Sequence, residues 1–252
     1  MSKLTLVSQK NVGKQKNVGI FSIEPLEPGQ GITLGNALRR TLLTELYGAG
    51  ITSLCINDAK NEFDSVYNIR EEILELILNL KEVVFGISKN KFKEKDFNGV
   101  NGIIFNKGPK IITSSLFKLP KNSIKVINPS FYICTIINNS NLFLEVKIKI
   151  GKGYAYADFS ENLSSHRKKI FFPIDTNFSP IKKVYYNVEL IYNNVGLLKE
   201  SLNIHLTTNG GVTPTRAICE SVKKLINMLY PILVGIKGFS KRYKFYDKRK
   251  SF

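Results

Sequence analysis

The sequence predicts an α+β protein with antiparallel sheets, and three observations support that fold class. Apolar residues repeat at helical spacing in three segments, two in the first third of the chain and one near its end. Between them, apolar residues alternate at the period of two that is typical of half-buried strands. Strands and helices do not alternate regularly, as a parallel β-α-β sheet would require.

The first predicted helix runs from Thr33 to Tyr47. Thr33 can act as its N-cap, since a threonine hydroxyl accepts a hydrogen bond from a free helical N–H, and Gly48 and Gly50 end the turn. Arg39 and Arg40 project away from the apolar stripe. The stripe consists of Leu34, Ala37, Leu38, Leu42 and Leu46.

The second predicted helix starts at Asn68, where Asn68 and Glu71 have the spacing of a capping box. Its buried face is predicted to contain Ile69, Ile73, Leu76, Ile77 and Leu80.

The third predicted helix starts at Thr213, with Pro214 at the first helical position and Pro231 as its stop. Its stripe is formed by Ala217, Ile218, Val222, Leu225, Ile226 and Leu229.

Five segments are predicted as strands. The clearest runs from Leu142 to Ile150, where apolar side chains alternate with charged or aromatic ones. Further strands are expected at 184–190, 202–206, 51–57 and 123–128. The segments 89–102 and 151–169 are predicted as long polar loops, and no internal repeat is present.

The bulk composition restricts the class of protein. The 252 residues suffice for one large domain or two modest ones, and the longest apolar run, Tyr230 to Gly235, is far too short to span a membrane. The first residues lack the apolar stretch of a secretory signal, so we expect a soluble protein. Lysine and arginine number 37 against 20 acidic residues, a net charge of +17. Two interpretations remain open: a nucleic-acid footprint, or drift of an A+T-rich gene towards lysine and asparagine, which the composition favours.

No catalytic or metal-binding constellation stands out. Three widely spaced cysteines (Cys55, Cys134 and Cys219) without C-x-x-C spacing argue against a disulfide framework and a zinc site, and they indicate a reducing compartment. His166 and His205 have no neighbouring nucleophile and acid. Gly151-Lys152-Gly153 reads as a sharp turn, since it opens no helix. We therefore expect no cofactor and no active site in this chain.

Three stretches resemble the amino-terminal part of the alpha subunit of bacterial and plastid RNA polymerases. They are Glu24–Glu27 with Gly31–Leu43, then Glu72–Lys81, and finally Phe178–Glu189 with Thr208–Pro214. Gly151–Tyr154 fits the loop of that family, and the order and spacing of the matches agree with it from about residue 20 to residue 233.

The resemblance implies two interlocked domains. Residues 1–52 and 174–235 would form a helix-plus-antiparallel-sheet dimerisation domain, 53–173 an inserted and mainly β domain, and 236–252 a basic tail. The first and third helices would cross those of a second copy, which agrees with their rich apolar stripes. The expected dimer-interface residues are Leu34, Leu38, Leu42, Leu46, Ile218, Val222, Leu225 and Leu229.

In that family, a homodimer is the platform on which the large beta and beta-prime subunits assemble, and those subunits carry out nucleotidyl transfer. The resemblance assigns Arg40, with its neighbour Arg39, to beta and places Lys81 at a large-subunit interface. The segment that contains Asp175, Ser179 and Pro180 would meet beta-prime. This chain would thus be a non-catalytic subunit of the polymerase.

Two departures from the family pattern shape the remaining expectations. The usual carboxy-terminal DNA-binding domain is not recognisable, so DNA contact is expected only through the complex or weakly through the basic tail. The lysine- and asparagine-rich composition suggests a plastid, with the cytoplasm of an A+T-rich bacterium as the alternative. A competing function is a free-standing nucleic-acid binder, and only Arg242–Tyr246 has the required interleaving of basic and aromatic residues.

Overall fold

The structure is a computed structural model that describes residues 3–12, 16–56, 59, 61, 63–64, 66, 68–87, 99–120, 124–158, 170–192 and 196–239. For residues 3, 10–12, 16 and 235–239 it describes the backbone alone. The predicted loops at 89–102 and 151–169 lie largely outside these ranges, as does most of the basic tail. Within the described ranges, none of the helices combines the length and the hydropathy that crossing a membrane requires.

The α+β class predicted from the sequence is confirmed. The helices are α1 (Gln30–Thr44), α2 (Ile73–Lys81) and α3 (Pro214–Phe239), and Ser114–Leu116 forms a short 3₁₀ turn. The strands are β1 (Lys3–Val12), β2 (Lys16–Leu26), β3 (Tyr47–Ile56), β4 (Phe85–Ile87), β5 (Val100–Lys107), β6 (Lys110–Thr113), β7 (Ile124–Val126), β8 (Tyr132–Ile136), β9 (Asn141–Lys152), β10 (Tyr154–Ala155), β11 (Phe172–Pro173), β12 (Thr176–Asn177), β13 (Ile181–Tyr192) and β14 (Leu198–Thr208).

One antiparallel sheet joins the two ends of the chain in the order β1-β2-β14-β13. Helices α1 and α3 contact each other and pack on one face of this sheet. The enclosed side chains come from residues 21–46 and 181–218, and we call them the terminal core. Phe21, Leu38, Leu42, Ile204 and Ala217 are among its fully enclosed members.

A second antiparallel sheet has the order β5-β9-β3-β4-β7, with β11 also paired to β3. Helix α2 packs against β3 and β8, and the enclosed side chains come from residues 51–174. We call this second cluster the central core. Strand β3 follows directly after α1, so the chain passes from the terminal core into the central sheet within a few residues.

The apolar stripes were predicted better than the helix ends. Helix α1 begins at Gln30 rather than Thr33, and the Thr33 hydroxyl donates backwards to the carbonyl oxygen of Gly29 (3.1 Å) instead of capping. Helix α2 begins at Ile73 rather than Asn68. The predicted capping box does not form, because Glu71 instead accepts hydrogen bonds from the N–H of Thr135 (2.8 Å) and the hydroxyl of Tyr132.

The predicted end of the third helix is also wrong. Pro231 lies inside α3, which continues to Phe239. A proline within a helix removes one backbone hydrogen bond and crowds the preceding turn, but it does not force the chain out of the helical conformation. The helix is therefore 26 residues long and presents the apolar side chains of Ile232, Leu233 and Val234 after the predicted stop.

Candidate functional site

The two arginines predicted to meet a partner lie on the exposed side of α1, as the helical spacing required. Arg39 and Arg40 are both exposed, and their helix is held from the other side by the buried Leu38 and Leu42. Arg39 also borders an open recess of about 520 Å³ between α1 and β13, which it shares with Ile32 and with residues 185–188. We call Arg39, Arg40 and this recess the arginine face.

Lys81 and Asp175, 94 positions apart in sequence, are brought together as an ion pair. Lys81 is the last residue of α2, and Asp175 lies between β11 and β12. The hydroxyl of Tyr154 donates a hydrogen bond to the other carboxylate oxygen of Asp175. Sequence reasoning missed Tyr154 as a site residue, although the Gly151–Tyr154 motif ended on it; the pairing of β10 with β12 places it beside Asp175.

The ion pair lies at the edge of a cleft of about 570 Å³, which we call the lysine cleft. Lys182 and Lys183 of β13 also line it, as does Glu82, so the cleft is lined by three lysines and two acidic residues. The hydrogen bond from Lys81 and then that from Tyr154 hold the pKa of Asp175 below its ordinary value. The same Tyr154–Asp175 contact raises the pKa of Tyr154, because the bonded proton is harder to remove.

Glycines in β3 and β9 leave room for the segment that carries Asp175 to pack closely on the central sheet. Gly48 and Gly151 are cross-strand partners in β3 and β9, and a Cβ atom on Gly48 would lie 1.8 Å from the carbonyl oxygen of Phe178. A Cβ on Gly151 would lie 2.8 Å from the Phe178 ring. Gly151 therefore provides room for Phe178 within a strand, and the residue that adopts the turn conformation is Gly153, with a φ of +60°.

Ser179 and Pro180, which are predicted to meet a partner, also pack within the chain. The Ser179 hydroxyl lies 3.4 Å from the carbonyl oxygen of Leu43 and 3.3 Å from that of Ile181, and Pro180 is buried. Lys81, Asp175 and Ser179 are thus at least partly exposed at the lysine cleft, whereas Pro180 is buried.

The predicted dimer-interface residues fall into three groups by burial. Leu38, Leu42, Leu46 and Ile218 are at most 2% exposed, because they belong to the terminal core, and their assignment to an interface stays a prediction. Leu34 and Leu225 are partly buried against the same core. Only Val222 and Leu229 of the eight are exposed.

The exposed apolar surface of α3 is larger than the sequence interpretation allowed. Ile226 and Leu229 are each 57% exposed, and the predicted stop at Pro231 concealed three more residues. We call the whole set the α3 apolar face. It comprises Val222, Ile226, Met228, Leu229, Tyr230, Ile232, Leu233 and Val234.

The described residues contain no group of three or more histidine, cysteine, aspartate or glutamate side chains placed to hold a metal ion. Cys134 is buried beside Glu71, and burial foremost raises the pKa of its thiol to about 12, so it is not a reactive thiolate at neutral pH. The surfaces described above present charged, hydrogen-bonding and apolar side chains.

The chain is similar in sequence to known proteins. Residues 54–179 match the family model described as the RNA polymerase Rpb3/RpoA insert domain. The chain is 41% identical over 212 residues to the DNA-directed RNA polymerase subunit alpha of Guillardia theta, covering 84% of this chain and 63% of that relative. It is 38% identical to the same subunit of Rhodomonas salina over 230 residues (91% and 70%) and of Mesostigma viride over 231 residues (92% and 70%). The chain thus spans about two thirds of the length of these relatives.

Proposed function

Because this chain belongs to the family of DNA-directed RNA polymerase alpha subunits, we propose that it is a non-catalytic assembly subunit of that polymerase. In this proposal, two copies form a homodimer, and the dimer is the platform on which the beta and beta-prime subunits assemble. The observation that carries the proposal is the α3 apolar face, which the rest of the described chain leaves uncovered.

A second copy is the occupant that fits the α3 apolar face best. Within this face, Val222, Ile226, Leu229 and Leu233 recur at helical spacing, and most of the face lies beyond Leu225, where α3 leaves the terminal core. A helix with an apolar side can pack against its own symmetry mate, so that each copy covers the same surface of the other. Burying each leucine-sized side chain contributes roughly 1.5 to 3 kcal/mol, so a few such contacts per helix exceed the cost of association.

The division of the chain into units follows from the same proposal. Residues 1–52 and 174–235 would form the dimerisation unit, and 53–173 the inserted unit. Support comes from the two separate apolar clusters, since the terminal core draws on both ends of the chain and the central core on its middle.

We propose that the arginine face and the lysine cleft receive the two large subunits, beta at Arg39 and Arg40 and beta-prime at Lys81, Asp175 and Ser179. An exposed arginine offers a planar fork of donors to carboxylates and backbone carbonyls, which suits it to a protein interface. The lysine cleft has room for a loop of a partner, since its volume is about 570 Å³.

Co-purification tests the proposal directly. The tagged chain should recover two very large subunits in equal amounts, together with an untagged copy of itself. Recovery of nucleic acid without those subunits would instead support the alternative function, a basic nucleic-acid binder. The segment expected to serve that function, Arg242–Tyr246, lies outside the described residues.

The cellular compartment is part of the proposal as well. The relatives above come from algae, and with the lysine-rich composition this supports the plastid as the location. Fractionation of cells with an antibody against the chain would test it, since accumulation outside the plastid would contradict it.

A further inference from the structure

Helix α1 begins without any of the usual local caps. Gly29, the residue before it, has a left-handed φ of +85° and no side chain that could accept a hydrogen bond, and the first turn contains no acidic residue. The first N–H groups of a helix have no partner within the helix, and they form its positive end. Gly31, in the first turn, is buried, so its N–H needs an acceptor from elsewhere in the chain.

That acceptor is Glu200, about 170 residues further along the chain. One of its carboxylate oxygens accepts the N–H of Gly29 and the other accepts the N–H of Gly31, both at 2.8 Å. Glu200 is only 7% exposed, and it lies where the pairing of β14 with β2 shifts register. A buried carboxylate that accepts two backbone N–H groups at a helix start makes a strong, charge-assisted contact.

The close approach of α1 to the sheet depends on glycine at this end. A Cβ on Gly31 would lie 2.8 Å both from the Glu200 carboxylate and from Val188, and one on Gly35 would lie 2.6 Å from the Tyr186 ring. The second half of α1 is anchored differently, by the buried Leu38 and Leu42. Glu200 therefore holds the half of α1 that contributes no large buried side chain.

We propose that Glu200 is a positioning residue for partner binding. By holding the first turn of α1 against β13, it fixes the recess between them, which Ile32 and Arg39 border, and it fixes the direction from which Arg40 meets a partner. This inference rests on the proposed role of the arginine face in binding the beta subunit. It adds to that role a residue that touches no partner and that no local sequence pattern indicates.

A double-mutant cycle tests the inference with the full chain and purified beta subunit of the same organism. Glu200→Ala should weaken beta binding roughly tenfold, about 1.4 kcal/mol, which is the scale of a lost helix cap. Glu200→Gln keeps one acceptor oxygen, so its affinity for beta should lie between that of Glu200→Ala and that of the unaltered chain. If Glu200 acts through Arg40, the double variant Glu200→Ala/Arg40→Ala should bind little more weakly than Arg40→Ala alone. Glu75→Ala removes an exposed carboxylate on α2, which does not border the recess, and should bind normally.

Amide hydrogen exchange separates positioning from general destabilisation. Glu200→Ala should speed exchange at residues 29–37 and leave residues 38–44, the central core and the dimer unchanged. The inference would be overturned if the losses in beta-binding free energy caused by Glu200→Ala and Arg40→Ala were additive in the double variant. Faster amide exchange throughout the terminal core would also overturn it. Normal beta binding by Arg40→Ala would instead contradict the proposed role of the arginine face, on which this inference rests. If Glu200→Ala fails to fold, the same measurements on Glu200→Gln test the proposal.

Discussion

Helices α2 and α3 have apolar stripes of similar sequence pattern, but the two stripes differ in how far the chain buries them. The buried face of α2 is completed by its own chain, with Ile73, Leu76, Ile77 and Leu80 all at most 6% exposed. Helix α3 is enclosed only over its first turns, at Ala217, Ile218 and Ser221, and it then leaves its apolar side chains uncovered. An apolar stripe thus predicts a need for burial but not the partner that provides it. For α2 the partner is the central core; for α3 we propose a second copy.

The strongest test of this comparison is to introduce charged side chains into the α3 apolar face. Ile226→Asp with Leu229→Asp should abolish the proposed dimer at micromolar concentration, because it removes roughly 3 to 6 kcal/mol of apolar burial and adds charges to the interface. Sedimentation velocity measures the loss, and circular dichroism should show an intact fold. Asn227→Asp, on the same helix turn, should remain dimeric. A double variant that still sediments as a dimer would place the interface elsewhere.

The opposite result is expected for α2, where a truncation should destabilise the chain itself. Leu76→Ala should lower the free energy of unfolding by about 3 kcal/mol, since it leaves a cavity in the central core. The matched control is Leu78→Ala on the exposed side of the same helix, which should change it by less than about 0.5 kcal/mol. Urea titrations of both variants measure the difference. Equal effects would mean that α2 is not the self-contained element described above.

Arg40 distinguishes the dimer from the larger assembly. Arg40→Ala should leave sedimentation unchanged and weaken capture of the beta subunit by about 2 kcal/mol, because alanine leaves the partner's acceptors without donors. Pull-down of beta over a range of concentrations measures the loss. Arg70→Ala, in the segment before α2, controls for a general loss of positive charge. Normal capture by the Arg40 variant would contradict the proposed role of the arginine face.

The smallest expected effect concerns the end of α2. The pKa of Asp175 is lowered in the folded chain, chiefly by Lys81, so the pair stabilises the fold above the ordinary aspartate value of 3.8 and loses this contribution as the pH falls through the folded pKa. Asp175→Asn should therefore be less stable than the unaltered chain at pH 7, by at most about 1 kcal/mol because the pair is partly exposed. Thermal unfolding should show a difference in Tm between Asp175→Asn and the unaltered chain at pH 7, and this difference should disappear below pH 3. A difference in Tm that does not change with pH would exclude the ion pair as its cause.

Sequence reasoning succeeded where the signal is periodic and failed where it depends on distant residues. The stripes of α2 and α3 and the alternation in β9 follow directly from side-chain geometry, so the fold class, the three helices and five of the fourteen described strands were predicted. The caps assigned to Thr33 and Asn68 were wrong, because a local pattern cannot reveal that Glu200 caps α1 from the other end of the chain. Likewise, the amphipathic pattern of α1 could not show that Leu38 and Leu42 pack in the terminal core of the same chain.

The candidate site was found only in part, for the same reason. Resemblance supplied Arg39, Arg40, Lys81 and Asp175, and the fold pairs the last two. Tyr154 and Glu200 were missed, since their contacts arise from strand pairing and not from neighbours in sequence.

The Glu200 contact also has a consequence for synthesis on the ribosome. Residues 30–44 emerge early, yet the carboxylate that completes their helix, and the strand β14 that pairs with β2, are translated only after the whole central region. The early segment must therefore wait, with its apolar side chains uncovered, while residues 51–174 are already able to collapse into the central core. Long-range closure of this kind is slow and exposes the nascent chain to aggregation. We expect chaperones to bind the segment that forms α1 until β14 has been translated.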